Sequence, residues 1–137
     1  MTDNNNDLVR EWYKFAMRDL DSAKHLCNMH PKPLEIICYL LQQSAEKMLK
    51  GFLVANEIEP PKTHDLQKLL KICADISDSF EILYDVCKDL NPYGVQPRYP
   101  NEIEVLEIDV ENALKNIQTM IEFFEKQGID LNPQKEN

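Results

Sequence analysis

Apolar residues recur at helical spacing through almost the whole chain, and no run alternates between apolar and polar residues as a β-strand would. Prolines interrupt this pattern at Pro31 and Pro33, at Pro60–Pro61 and at Pro92. The pattern predicts helices over 7–29 and 34–56, a third after Thr63, a fourth from Asp78 to the Asn91–Pro92 stop, and a fifth over 107–127. An all-α, up-and-down antiparallel bundle of five helices is therefore expected.

A chain of 137 residues is expected to form one domain with a single core. The asparagine-rich residues 1–7 are predicted to be disordered, residues 8–127 to form the bundle, and residues 128–137 to be a polar tail. Gly128 is the expected C-cap of the last helix.

The net charge of −9 opposes binding to duplex DNA. The longest apolar run is far shorter than the ~20 residues that a membrane span needs, and the first residues do not have the pattern of a signal peptide. We therefore expect a cytoplasmic protein whose four cysteines are buried, reduced thiols. His25, Cys27 and His30 lie close in sequence but lack a fourth ligand at zinc spacing, so no metal site is predicted.

A carboxylate stands in the middle of the predicted apolar face of the first helix, which is formed by Leu8, Trp12, Phe15, Ala16, Ala23 and Leu26. This residue, Asp19, is costly to bury unless it is paired. We expect Asp19 to be buried and to pair with a basic side chain or a helix-end donor. The pair is either a structural link between helices or a device that places a functional residue.

Polar side chains cluster on the second predicted helix, opposite its apolar stripe. Gln43, Lys47 and Lys50 project from that side, and Glu46 lies at the margin, four residues before Lys50. One interpretation is a solvated face with an exposed i,i+4 ion pair. The other is a phosphate site formed by the lysines and the segment that contains Arg98.

The segment 93–100 is predicted to be a non-helical loop that presents Arg98 and Tyr99 between two prolines. An arginine fork suits a phosphate group, and a tyrosine ring offers a face for stacking a base. The alternative is a rigid connection between helices. His64, after Pro60–Pro61, is either a proton-transfer group or a structural residue beside a carboxylate.

Four short motifs follow one another at a distinctive spacing. They are Trp12, Ala16, Asp19–Leu20 and Ala23; then Gln42–Gln43–Ser44–Ala45–Glu46–Lys47 with Lys50; then Thr63–His64–Asp65–Leu66 with Leu69; then Arg98–Tyr99–Pro100. In this order they resemble the HEPN domain (higher eukaryotes and prokaryotes nucleotide-binding), over about residues 8–126. The resemblance implies a helical bundle, often homodimeric and often encoded beside a minimal nucleotidyltransferase as a toxin–antitoxin pair.

Many members of that family are metal-independent ribonucleases with an Arg-x(4–6)-His motif. The resemblance implies that the histidine moves protons around the ribose hydroxyl and that the arginine holds the phosphate. Here Ile103, Glu104 and Val105 occupy the positions after Arg98 where the histidine would stand. Arg18 and His25 have the spacing but lie on the first predicted helix. The chain looks more like the branch with the Arg-Tyr-Pro loop, and no catalytic residue is assigned.

The resulting hypothesis is a nucleotide-binding accessory subunit that works with a nucleotidyltransferase partner. Its site would place Lys47, Lys50, Arg98 and Tyr99 around a nucleotide such as ATP, with His64 at the edge. Asp19, Gln43 and Glu46 would orient these side chains, or would neutralise them in an internal network that binds nothing.

Two alternatives remain open at this point. One is a ribonuclease toxin, for which His64 is the serious candidate to approach Arg98. The other is a non-catalytic, dimeric interaction module. A homodimer is expected because Met17, Ile36, Leu40 and Val54 are apolar residues outside the main helical stripes.

Overall fold

A computed structural model of the chain describes residues 3–95 and 104–132. These residues form α1 (Asp3–Leu26), α2 (Leu34–Ala55), α3 (Leu66–Ile76), α4 (Tyr84–Leu90) and α5 (Glu107–Lys126). Two short 3₁₀ helices, Asp78–Leu83 and Asn91–Gly94, precede and follow α4. The predicted all-α class with five α-helices is confirmed, and no strand occurs in the described part of the chain.

The centre of the fold is α2, which contacts each of the other four α-helices. Its apolar stripe of Leu34, Ile37, Leu41, Ala45, Met48 and Phe52 is buried or partly buried, and Gln42, Ser44, Glu46 and Lys50 on its other sides are buried as well. A helix surrounded on all sides has few positions left for solvent. Of the two interpretations of its polar side, the solvated face is therefore wrong.

The first helix begins at Asp3, so residues 3–7 lie in α1 rather than in a disordered terminus. Its buried side is formed by Tyr13, Ala16, Leu20 and Ala23, whereas Leu8 is exposed. The predicted face was therefore rotated, because it was centred on the bulky Trp12 and Phe15. Ala16 and Ala23 lie on both the predicted and the observed face, and the rotation brings Tyr13 and Leu20 into the core in place of Leu8.

The start of α3, predicted to follow Thr63, is capped by Asp65. The Asp65 carboxylate accepts hydrogen bonds from the backbone N–H groups of Gln67 and Lys68. Thr63 Oγ1 instead accepts a hydrogen bond from the backbone N–H of Asp65. The Asn91 side chain accepts from the N–H of Leu66 at 2.8 Å, which ties the end of α4 to the start of α3.

The predicted fourth helix is divided. Residues Asp78–Leu83 form a 3₁₀ helix, and only Tyr84–Leu90 are α-helical. Tyr93 and Gly94 belong to the 3₁₀ helix that follows, so the prediction of a wholly non-helical segment from 93 onward is wrong at its start. Pro92 stands near the beginning of that turn, where a missing N–H has no cost. Residues 96–103, with Arg98 and Tyr99, lie outside the described residues.

The final helix buries Val110, Ala113, Ile117, Met120, Ile121 and Phe124, while Leu106 is exposed at its N-cap. Gly128 follows the helix with φ of +80°, as expected of a C-terminal glycine. The tail is not wholly polar, because Leu131 is 3% exposed. Ile129 donates its N–H to Phe124 O at 3.1 Å, which holds this part of the tail against α5.

The four cysteines are free thiols. Cys38, Cys73 and Cys87 are buried as predicted, and Cys27 is partly exposed. Burial raises the pKa of each of the three buried thiols to about 12, with smaller contributions from neighbouring groups at Cys38 and Cys73. No helix in the described residues is long and apolar enough to cross a membrane.

Candidate functional site

The carboxylate of Glu46 is the centre of a hydrogen-bonded cluster on α2. Its Oε2 accepts from Lys50 Nζ at 3.0 Å, and its Oε1 lies 2.8 Å from His64 Nδ1. Gln43 Nε2 also donates to Oε1 at 3.3 Å. The side chain of Glu46 is 5% exposed, so this carboxylate is buried and held by three partners. The predicted marginal position of Glu46 is wrong.

Lys50 is the second buried charge of the cluster, with a side chain that is 9% exposed. Its ammonium lies 5.9 Å from the centre of the Trp12 ring, within the range of a cation–π contact. The Glu46–Lys50 pair was expected at the surface, as an ordinary i,i+4 pair. It is buried because α1 covers this side of α2.

Asp19 pairs with Lys47, so the predicted basic partner of Asp19 is confirmed. The pair links α1 to α2 at the edge of the bundle, where the side chain of Asp19 is 17% exposed and that of Lys47 is 26% exposed. Nearby, burial raises the pKa of the Tyr39 phenol, and the carboxylates of Glu46 and Asp19 add to that rise. Tyr39 therefore stays protonated beside both ion pairs.

His64 is the exposed member of the cluster, with 70% of its side chain accessible. Its backbone oxygen accepts a hydrogen bond from Gln42 Nε2 at 2.8 Å, and Gln42 Oε1 accepts from Gln43 Nε2 at 2.8 Å. The backbone oxygen and the ring of His64 are thus both held by side chains of α2, Gln42 and Glu46. In the neutral ring, Nδ1–H donates to Glu46 and Nε2 remains an acceptor, without a partner among the described residues.

The turn that leads toward Arg98 begins beside this cluster. A Cβ placed on Gly94 would lie 2.9 Å from Gln42 Nε2 and 3.5 Å from the backbone oxygen of His64. A side chain at position 94 would therefore require the buried Gln42 amide, which is hydrogen-bonded to His64, to shift. Four residues of chain connect Gly94 to Arg98, a length that spans at most ~14 Å.

The family model of the HEPN domain matches residues 9–127 of this chain. The protein belongs to the HEPN domain family. The fold agrees with that of TT1696 from Thermus thermophilus, known from its crystal structure, with a TM-score of 0.70 and 25% sequence identity. The match covers 86% of this chain and 96% of that one. A comparison with curated proteins finds no match.

In this HEPN protein, the structure brings together Lys47, Lys50, Glu46, Gln43 and His64 on one side of α2, with Asp19 opposite them on α1. The positions of Arg98 and Tyr99 are outside the described residues, so their approach to the lysines stays a prediction. Each of the two lysines already has a carboxylate partner. The described part of the cluster is therefore close to neutral when His64 is uncharged.

Two members of the cluster were not assigned roles from sequence. Gln42 was noticed only as part of a motif, yet its fully buried side chain bridges His64 and Gln43. Ser44 donates to the backbone oxygen of Ala16 at 2.7 Å and fixes α2 against α1 beside the cluster. The signal for both was a polar side chain among the apolar residues of α2.

A histidine backed by a buried carboxylate can accept a hydrogen bond or transfer a proton through its free nitrogen. Lys47 can offer part of its ammonium to an anion, because its pair with Asp19 is partly open to solvent. Within residues 3–95 and 104–132, no three His, Cys, Asp or Glu side chains are grouped so that they could hold a metal ion.

Proposed function

We propose that this HEPN protein is a nucleotide-binding accessory subunit that works with a minimal nucleotidyltransferase partner. The observation that supports a ligand site is His64, whose imidazole is fixed by the buried Glu46 while most of its surface faces solvent. A purely structural histidine needs no such exposure. The second half of the proposal, the nucleotidyltransferase, rests on the family resemblance.

The described residues divide naturally into contact and support roles. Lys47 and His64 are accessible enough to meet a ligand. Lys50 is enclosed between Glu46 and Trp12, so it supports the cluster by compensating the charge of Glu46. In this proposal Arg98 supplies the free cation for phosphate, and Tyr99 supplies the ring for a base.

The nucleotide test uses the purified full-length chain, titrated calorimetrically with ATP, GTP, CTP and a short RNA. Arg98→Ala and His64→Ala are expected to weaken binding at least about tenfold, since each removes one charged or directed contact. The melting temperature should stay within about 1 °C of wild type for His64→Ala, because that side chain is largely exposed. Lys24→Ala, an exposed lysine on α1, is the matched control.

Salt provides the second criterion. Binding through phosphate contacts should weaken as ionic strength rises. The proposal fails if no nucleotide or RNA binds and Arg98→Ala lowers the melting temperature. That result would identify the cluster as an internal network that only stabilises the fold.

The second candidate function is a metal-independent ribonuclease, favoured by the carboxylate-backed imidazole of His64. Cleavage of RNA in the presence of EDTA that is lost in His64→Ala, but kept in Lys24→Ala, would support it. If RNA binds but remains intact, the ribonuclease is excluded and the nucleotide-binding accessory role is kept.

A further inference from the structure

A groove lies between α4 and α5. It is an open groove of 640 Å³, a size within the roughly 300–1,000 Å³ of small-molecule sites. Lys88 and Asp89 of α4 form one wall, and Asn112 and Lys115 of α5 form the other. None of the described residues of the cluster around Glu46 lines it.

The groove contains polar groups that the described residues do not satisfy. Lys88 and Lys115 form no ion pair with any described residue, although two carboxylates line the same groove. Asn112 and Asn116, one helical turn apart on α5, donate and accept no side-chain hydrogen bond within residues 3–95 and 104–132. Two cations and two amides are thus available to a ligand.

The two carboxylates differ in their availability. Asp109 Oδ2 accepts the backbone N–H of Leu106 at 2.8 Å and so caps the start of α5. Asp89 has no hydrogen-bond donor among the described residues and can accept from hydroxyl groups. Because two positive and two negative charges line the groove, a bare anion gains little net attraction.

Tyr93 lines the inner part of the groove. Burial, followed by nearby Cys38, Asp109 and Asp89, raises the pKa of its phenol to about 12. The phenol is therefore protonated at neutral pH and can donate a hydrogen bond. Its ring offers an apolar surface against which a sugar or base can pack.

We propose that this groove binds a phosphorylated sugar, either free or as the sugar phosphate of a nucleotide. Lys88 and Lys115 hold the phosphate from opposite walls. Asp89, Asn112 and Asn116 hold the hydroxyl groups, which distinguishes the ligand from inorganic phosphate. The site is independent of the nucleotide site proposed at His64.

The test is a two-dimensional ¹H–¹⁵N NMR titration of the full-length protein with ribose 5-phosphate, adenosine monophosphate, ribose and inorganic phosphate. Ribose 5-phosphate or the nucleotide should shift the side-chain amide signals of Asn112 and Asn116. Lys115→Ala should weaken this binding at least about tenfold, while Lys24→Ala leaves it unchanged. Ribose and phosphate alone should bind at least about tenfold more weakly.

Comparison of the first two ligands identifies the source of the sugar phosphate. The inference is overturned if none of the Asn112 and Asn116 signals moves, or if inorganic phosphate binds as tightly as the sugar phosphate. His64→Ala should not alter the groove titration. If the Asn112 and Asn116 signals do not shift but nucleotide binding that depends on His64 is observed, only this inference is refuted. If those signals shift but no binding depends on His64, only the proposed nucleotide site is refuted.

Discussion

Glu46 and Lys50 form an i,i+4 ion pair whose energetic role depends on whether it is exposed or buried. At the surface, an i,i+4 Glu–Lys pair adds only a few tenths of a kcal/mol to helix stability. Here both side chains are largely buried, and removal of either partner leaves an uncompensated charge inside the bundle. Replacing one member of the pair alone is therefore costly, although the intact pair adds little to the net free energy of folding.

We predict that Lys50→Met lowers the free energy of unfolding by about 3–5 kcal/mol, because the Glu46 carboxylate then stays buried without its ammonium partner. Glu46→Gln should cost a similar amount for the converse reason. The double variant Glu46→Gln/Lys50→Met should cost much less than the sum of the two. Urea unfolding of all four proteins measures this coupling, and simple additivity would contradict the assigned pairing.

At the scale of elements, the contact between α1 and α2 positions the cluster. Gly51 allows the close approach of the two helices, since a Cβ there would lie 2.5 Å from Tyr13 Cε1 and 3.2 Å from Trp12 Cβ. Trp12 in turn covers Lys50, and Asp19, two turns further along the same face of α1, reaches Lys47. Any separation of α1 from α2 would therefore break the Asp19–Lys47 pair and expose the Glu46–Lys50 pair to solvent.

Gly51→Ala is expected to destabilise the protein by about 1–3 kcal/mol, despite the ~1 kcal/mol that alanine gains over glycine in a helix. The reason is that the Tyr13 ring is buried and cannot move freely away from the new methyl group. Ser22→Ala, on the exposed side of α1, is the control and should be neutral or slightly stabilising. Thermal melts compare them, and a Gly51→Ala protein as stable as wild type would show that the helices can separate cheaply.

At the scale of the whole molecule, the apolar residues expected to support a dimer behave differently from one another. Val54 is buried within the chain, so for it the expected exposure is wrong, whereas Met17 and Leu40 are only partly buried. Ile36 is 42% exposed. Near the Lys32–Glu107 ion pair, which joins the α1–α2 link to the start of α5, Met29, Leu106 and Ile108 are exposed as well.

We predict that this end of the bundle is the homodimer contact. Multi-angle light scattering at micromolar concentration should report twice the chain mass for wild type. Ile36→Glu should shift it toward the monomer, because a carboxylate would be buried without a partner. Ile82→Glu, on the exposed surface of the 3₁₀ helix before α4, is the matched control and should remain dimeric. A monomeric wild-type protein would refute the prediction.

The sequence by itself determined the helical class, most helix positions and the HEPN family. Helical periodicity and proline breaks are local properties, so α2, α3 and α5 could be predicted to within a few residues. The residues of the cluster could also be named in advance, because Asp19 is a charge on an apolar face and Glu46, Lys47 and Lys50 are charges grouped on the polar side of the second helix.

Only the tertiary structure decided which partner each charge takes and which side chain faces solvent. Periodicity identifies the faces of one helix, but it does not show how many neighbours cover them. Because α2 is surrounded by four other helices, Lys50 and Glu46 became internal, while His64, from a loop, became the accessible end of their network. The same packing decided which side of α1 is buried. Tyr13 of α1 lies directly against Gly51 of α2, and a contact between residues of two helices cannot be read from the periodicity of either helix alone.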